Sequence, residues 1–313
     1  MASHDISVDR LLEACATGDL ALLQTLLQHP SYIAVALSTP SQTEVLTAHG
    51  EEIRLTHKIL NLVSMFNTAA RAGSVPIVNH LLAFAQTRGI PHTKLIRRDA
   101  ICAAISANTV PVFRELYAAQ PDIINMDMGG HTGTPLTQAL LRKDNDSLIH
   151  FLLGNGSNPN THTGVPGPHL RSAAQHSSLS VIELLIQHGA EIAQSGALHY
   201  AAENSRIDAM ALLVRYGADV SEQLFANLRF SARYRTRIKK ELGISSDVSG
   251  EKRPSWGGET PLHYSVLARQ RKGTEWLIRH GADASITDSK GWSATDMARR
   301  IGDAEILAVL ASN

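Results

Sequence analysis

The stretch Thr260-Pro261-Leu262-His263 is followed, nineteen residues after its leucine, by Gly281-Ala282-Asp283. Leu198 and Leu170 are each followed by a glycine at the same distance, and Leu136 by a glycine at twenty residues. Self-similarity at a period near thirty-three residues is typical of stacked repeats, in which each unit buries its apolar face against the next. The spacing therefore predicts the architecture before any local preference is considered.

Each unit has the physical signature of two short helices. Threonine followed by proline suits a helix start, because the hydroxyl can cap the first amides and proline fits the first helical position. Small residues three and four positions after the leucine let a neighbouring helix approach closely. A second helix carries apolar residues at helical spacing and ends at a glycine. Such a pair is too apolar to stand alone, so the units are predicted to stack.

This pattern resembles the ankyrin repeat, most closely between Thr260 and Asp283. The resemblance implies an all-α fold, an ankyrin-repeat solenoid of stacked helix-turn-helix units with short hairpin fingers. With the leucine as register marker, eight copies are expected at Leu11, Phe66, Ile101, Leu136, Leu170, Leu198, Leu262 and Thr295. We expect a single domain over 1–313, with repeats near 8–30, 61–90, 98–125, 131–160, 166–192, 195–220, 258–284 and 290–311, and insertions at 31–58 and 221–257.

Two departures from the regular period bear on function. The finger Ile192–Gly196 before repeat six is short, and we expect it to open the binding groove there. The segment 221–257 is either a degenerate repeat or an insertion. Helical spacing favours two short helices in it, through Leu224, Leu228, Tyr234, Ile238 and Leu242.

Composition excludes several classes of protein. Lys plus Arg equals Asp plus Glu at 29 each, so no global charge predicts nucleic acid or an acidic membrane as partner. Cys15 and Cys102 lie among apolar residues, which favours buried thiols in a reducing compartment. No signal peptide and no membrane-spanning run are recognised. We therefore expect a soluble protein of the cytoplasm or nucleus.

Chemistry-bearing motifs are scarce. His199 and His263 occupy the motif histidine of the resembled family, which implies a structural role. His131, His162, His169 and His176 are interpreted as exposed loop histidines, with a metal site as the alternative, although no paired ligand spacing accompanies them. No nucleophile elbow or phosphate-binding glycine loop is present. We accordingly predict no metal, no cofactor and no catalytic residue.

One local charge signal stands out between Arg229 and Lys240. It could grip a polyanion such as RNA or phosphate, or it could be a solvated helix face. The run comprises Arg229, Arg233, Arg235, Arg237, Lys239 and Lys240.

The resemblance also implies where a partner binds, because first helices and fingers line a concave face in ankyrin repeats. The corresponding partner-binding positions here are Arg71, Gln138, Arg142, Gln175, His176, Tyr200, Glu203, Asn204, Trp256, Tyr264 and Trp292. Aromatic side chains at such positions supply rigid contact area, although Tyr200 and Tyr264 could instead pack between repeats.

Three functions remain open from the sequence. The leading hypothesis is a noncatalytic scaffold that binds an unknown protein or peptide on its concave face. The alternative is an atypical enzyme acting on a small molecule in the groove, with His176, Glu203, Tyr200 and Arg142 as candidate catalytic residues. The third is polyanion docking through the basic run.

Overall fold

The computed structural model describes residues 7–39, 41–48, 51–129, 132–142, 144–161, 168–225, 240 and 257–312, with the backbone alone over 41–48 and 51–58. The chain divides into two compact units, Met1–Met126 and Asp127–Asn313. In their described parts both units consist mainly of helix pairs, as expected for stacked helix-turn-helix repeats. Each predicted register residue lies in the first helix of a pair.

The described part of the first unit contains three helix pairs and an inserted segment. First helices α1, α4 and α6 lie side by side, and α2, α5 and α7 form a second row. The elements are α1 (Val8–Thr17), α2 (Leu20–Leu26), α3 (Pro30–Ala36), β1 (Ser41–Ala48), β2 (Glu51–Lys58), α4 (Asn61–Ala72), α5 (Val75–Gln86), α6 (Arg98–Ser106) and α7 (Val110–Ala119), with 3-10 helices at His92–Lys94 and Pro121–Asn125.

The insertion at 31–58 carries α3 and a β-hairpin. Strands β1 and β2 pair antiparallel, from Ser41 opposite Lys58 to Ala48 opposite Glu51. The chain re-enters the stack at Asn61, whose side-chain Nδ2 donates to the Val35 carbonyl at 2.9 Å. The sequence analysis expected an insertion at 31–58 and did not predict a hairpin in it.

The second unit has five helix pairs within its described residues. The first helices contact one another in the order α8, α10, α12, α14 and α16, with the second helices in a parallel row. The elements are α8 (Pro135–Leu140), α9 (Asp146–Gly154), α10 (His169–His176), α11 (Leu179–Gln187), α12 (Ala197–Glu203), α13 (Ile207–Arg215), α14 (Pro261–Leu267), α15 (Arg271–Arg279), α16 (Ala294–Ile301) and α17 (Ala304–Ala311).

Helix ends follow the capping chemistry of the sequence. Thr134 caps α8 by accepting from the Thr137 amide, and Pro135 occupies the first position. Ser293 and Asp296 cap each other's backbone amides at the start of α16. In the first unit Gly73 ends α4 with a φ of 73°, a left-handed conformation that favours glycine.

Small side chains fill the contacts between first helices. Their burial allows the helix backbones to approach closely, which explains a core with few aromatic residues. Fully buried at 0% exposure are Ala14, Cys15, Ala69, Ala70, Ala173, Ala174, Ala201 and Ala202.

The 221–257 segment is described only at its ends. Leu224 and Glu259 form an isolated antiparallel bridge, in which the Leu224 amide donates to the Glu259 carbonyl at 3.0 Å. Leu224, which was predicted to begin the first of two helices, lies in this bridge instead. The rest of the predicted helices, from Leu228 to Leu242, lies outside the described residues apart from residue 240.

Candidate partner-binding surface

Repeats six and seven meet through two buried tyrosines. Tyr200 of α12 and Tyr264 of α14 are 2% and 1% exposed, and their ring centroids lie 5.6 Å apart. The His199 ring packs edge-on against Tyr264 at 5.3 Å, and the Arg171 guanidinium carbon lies 4.8 Å from the Tyr200 ring centroid. Both tyrosines therefore pack between repeats. The structure does not place them on the exposed surface where the family positions predicted partner contacts.

Repeat six offers little open surface. Every residue of α12 is buried, and Glu203 is 1% exposed. The short finger is tied to the following segment, because the Gln194 amide donates to Glu222 Oε1 at 2.7 Å and its side chain donates to the Gln223 carbonyl at 2.9 Å. These bonds join the short finger to residues 222 and 223, at the place where the sequence analysis expected the finger to open a groove.

Two buried motif histidines tie neighbouring fingers together. His263 Nε2 donates to the Trp292 carbonyl at 2.9 Å, and His199 Nε2 donates to the carbonyls of Glu222 and Glu259, both at 3.0 Å. Burial lowers the pKa of His199 to about 4 and also lowers the pKa of His263. Both rings are therefore neutral near pH 7, and their contacts are structural.

A third histidine, His169, makes hydrogen bonds of the same kind. The sequence analysis did not predict this role. It is 3% exposed, not in an exposed loop as predicted. Its Nδ1 donates to the Pro159 carbonyl at 2.8 Å, while Nε2 lies 2.9 Å from the Thr137 hydroxyl. Thr137 stands directly after its register leucine, the position that His199 and His263 hold in later repeats. Because repeat four has no histidine at this motif position, a histidine from elsewhere could have been expected to take its place, and this signal could have identified His169.

Glu259 is the most unusual buried group near these links. Its side chain is 0% exposed, and neither carboxylate oxygen accepts a hydrogen bond from another residue in the described part of the chain. Burial raises the pKa of Glu259 to about 7; its own backbone N–H opposes the effect, the negative charge of Asp288 adds to it, and Lys290 opposes it. The sequence analysis did not single out Glu259 and gave no sign of this burial.

The remaining predicted contact residues of repeats four to six form a row, which we call the first-helix strip. They lie on or directly after α8, α10 and α12, which pack side by side. Gln138 and Asn204 are half-buried and donate to nearby backbone carbonyls, at 2.6 Å and 2.8 Å. Leu141, which was not predicted, adds a 53% exposed apolar side chain to this region. The strip comprises Gln138, Arg142, Gln175, His176 and Asn204.

A pocket at the last repeat involves the predicted residue Trp292. It is open, has a volume of about 440 Å³, and is lined by Trp292, Asp296, Arg299 and Arg300. The Arg300 guanidinium carbon lies 5.0 Å from the centroid of the Trp292 ring. Asp296 Oδ1 accepts from Arg299 Nη1 at 3.0 Å. Only Trp292 of these four was singled out from the sequence, because the arginines have no motif spacing.

The remaining predicted residues are exposed or lie outside the described part of the chain. Arg71 is exposed in the last turn of α4 in the first unit. Lys240 of the basic run is exposed. The predictions outside the described residues are Trp256, His131, His162, Arg229, Arg233, Arg235, Arg237 and Lys239.

The candidate catalytic residues do not share one environment. Tyr200 and Glu203 are buried, whereas Arg142 and His176 are exposed. Within the described ranges no group of three or more His, Cys, Asp or Glu side chains is arranged to hold a metal ion. No described helix has the length and apolar character needed to cross a membrane.

Comparison with protein families agrees with this geometry. Residues 136–223 match the family model of ankyrin repeats in three copies, and residues 257–289 match that of a single ankyrin repeat. The chain therefore contains ankyrin repeats. Ankyrin repeats are in general modules of protein–protein interaction. A search of curated proteins gave no match to the sequence.

Proposed function

We propose that this protein is a noncatalytic scaffold that binds a protein or peptide partner along the first-helix strip. The observation that carries the proposal is the row of polar side chains from three consecutive repeats on adjacent first helices. In ankyrin repeats the first helices and fingers form the face that meets partners. An extended surface of this kind suits recognition of another chain.

The character of the strip favours a partner with acidic and apolar side chains. Arg142 is exposed at the end of α8, and Leu141 beside it is 53% exposed. Glu203, the one acidic residue predicted at these positions in repeats four to six, is buried and does not offset the charge of Arg142 at the surface. Arginine is enriched among the residues that carry most of the binding energy of interfaces.

A matched pair of double variants tests this placement. Arg142→Ala/His176→Ala alters the strip in repeats four and five. His150→Ala/Gln187→Ala changes exposed residues on the second helices of the same repeats. Full-length protein carrying each pair is used for affinity capture from its native source, with quantitative mass spectrometry of the bound proteins.

We expect the strip variant to lose at least one partner that the wild type and the second-helix variant both retain. Both variants should keep the far-ultraviolet circular dichroism of the wild type, because all four side chains are exposed. An unchanged set of partners with the folded strip variant would show that binding occurs elsewhere.

A further inference from the structure

The connection between α5 and α6 in the first unit carries three neighbouring cations, which we call the basic turn. Lys94 ends a 3-10 helix, and Arg97 and Arg98 stand at the start of α6. All three side chains are exposed. Four peptide steps separate Lys94 from Arg98, so their Cα atoms lie within about 14 Å of each other. The basic turn therefore concentrates positive charge on a small area of surface.

The charges of the basic turn are not compensated within the described part of the chain. The side chains of Lys94, Arg97 and Arg98 form no ion pair and no hydrogen bond with another residue there. Asp99 is exposed in the same first turn of α6 and pairs with none of them. The three cations are therefore available to an anion from outside the molecule.

Helix stability does not account for the two arginines. Arg97 is the N-cap residue of α6 and makes no side-chain capping hydrogen bond, whereas Ser7 and Asp19 make such bonds at the starts of α1 and α2. The amino end of a helix carries the positive end of its dipole, so cations are unfavourable there. A local preference that is broken without a structural gain is expected at functional positions.

The backbone of the basic turn is held in place by its buried neighbours. Leu95 and Ile96, which lie between the cations in sequence, are 0% and 1% exposed. The amides of both residues donate to the His92 carbonyl at 2.8 Å. The turn is thus ordered before any partner arrives, and binding does not have to order it.

The surroundings favour a protein carboxylate over a nucleic acid or a membrane. Single-stranded nucleic acids are held by aromatic stacking as well as by charge. Phe84, the aromatic residue that precedes the turn, is 7% exposed, and the Arg88 guanidinium carbon lies 3.6 Å from its ring centroid. Anionic lipids are typically recognised by about four to eight clustered basic residues, more than this turn supplies. Planar guanidiniums match the two oxygens of a carboxylate.

We propose that the basic turn binds an acidic segment of a partner protein, in which several aspartate or glutamate residues follow one another. Such a segment complements the turn in charge, and about five extended residues span the distance from Lys94 to Arg98. The site goes beyond the first-helix strip, because it belongs to the first unit and the strip residues belong to the second. The two surfaces can therefore be tested separately.

The test is fluorescence anisotropy of a labelled peptide titrated with the full-length protein. The probe has five consecutive glutamates between terminal glycines, and its comparison peptide has glutamine at the same five positions. The test variant is Lys94→Gln/Arg97→Gln/Arg98→Gln. A single-stranded oligonucleotide and vesicles containing an anionic lipid are titrated in parallel.

A matched control removes the same charge elsewhere. Arg271→Gln/Lys272→Gln/Arg279→Gln changes three exposed basic residues of α15 in the second unit. Both triple variants should keep the far-ultraviolet circular dichroism of the wild type, because all the altered side chains are exposed.

We expect saturable binding of the glutamate peptide and no binding of the glutamine peptide. The test variant should bind the glutamate peptide about tenfold more weakly than the wild type, since three exposed charge contacts of modest individual strength are lost. The control should bind as the wild type does, because the local cluster and not the net charge decides the affinity.

Undiminished binding by the folded test variant would overturn the inference. An equal loss in both triple variants would do the same, since net charge would then be the cause. Failure of the glutamate peptide to saturate would also overturn it, and binding of the oligonucleotide or the vesicles in its place would assign the turn to another class of polyanion. If the titration fails but the strip variant still loses its partner, the scaffold function stands without this site.

Discussion

Replacing Glu259 by glutamine should make the second unit more stable at alkaline pH. The fold raises the pKa of this carboxyl from its ordinary 4.5 to about 7, because the side chain is fully buried and neither oxygen accepts a hydrogen bond from another described residue. The folded state thus binds the proton more tightly than the unfolded state. The stability that protonated Glu259 contributes to the fold is fully present below pH 4.5. It is lost as the pH rises through about 7.

The size of the effect follows from the shift. At about 1.4 kcal/mol for each pKa unit, ionising Glu259 costs the fold about 3 kcal/mol above pH 7. Glu259→Gln removes the charge and keeps the shape. We expect it to exceed the wild type in unfolding free energy by about 3 kcal/mol near pH 8, and by about 1 kcal/mol or less near pH 5.

Urea unfolding followed by tryptophan fluorescence measures this difference. The three tryptophans, Trp256, Trp276 and Trp292, all belong to the second unit, so their emission reports on the unit that contains Glu259. The quantity to compare is the difference in unfolding free energy between the variant and the wild type, because His199 changes stability with pH in the opposite direction. Its pKa falls from 6.5 to about 4, so its contribution is present above pH 6.5 and is lost on acidification.

The matched control is Glu305→Gln, which removes an exposed carboxylate on α17 paired with Arg271. Its difference from the wild type should be small and nearly constant with pH. If Glu259→Gln and Glu305→Gln show the same dependence on pH, the assignment of a buried, unpartnered charge to Glu259 is refuted.

Three further substitutions test other parts of the fold. Gly73→Ala should lower the unfolding free energy by about 1–2 kcal/mol, because φ is +73° and the new Cβ would lie 2.8 Å from Thr109 Cγ2; chemical denaturation checks this, and adding Thr109→Ser should recover part of the loss. Burial raises the pKa of the Cys15 thiol to about 12, so a thiol reagent should label Cys102 first; labelling of native Cys102→Ser at the wild-type rate would contradict this. Arg206→Gln should lower the unfolding free energy by about 2 kcal/mol, since Arg206 Nη1 donates to two carbonyls in the preceding repeat. An unchanged urea midpoint, measured by tryptophan fluorescence, would show that these contacts add no net stability.

The sequence predicted the repeat architecture because its signals are local and periodic. The register leucines, the small residues behind them and the threonine–proline starts each follow from the geometry of one helix pair. The hairpin of β1 and β2 was missed because it interrupts the period and carries none of these signals.

The candidate surface was only partly predictable, since exposure depends on neighbours in other repeats. Tyr200 and Glu203 stand at positions that often contact partners, yet packing between repeats six and seven buries them. Glu259 was missed for the same reason. The pocket beside Trp292 requires two arginines from the following helix, and no spacing rule connects an aromatic finger residue with them.

The contact between Thr137 and His169 has a consequence for engineering. In repeats six and seven the linking imidazole belongs to the earlier module, whereas between repeats four and five it is donated by the later one. Exchanging repeat five alone for a consensus cassette would delete that imidazole and leave Thr137 without a ring to meet. Libraries that shuffle single modules should therefore treat repeats four and five as one inherited block, or restore histidine at position 137 in the same step.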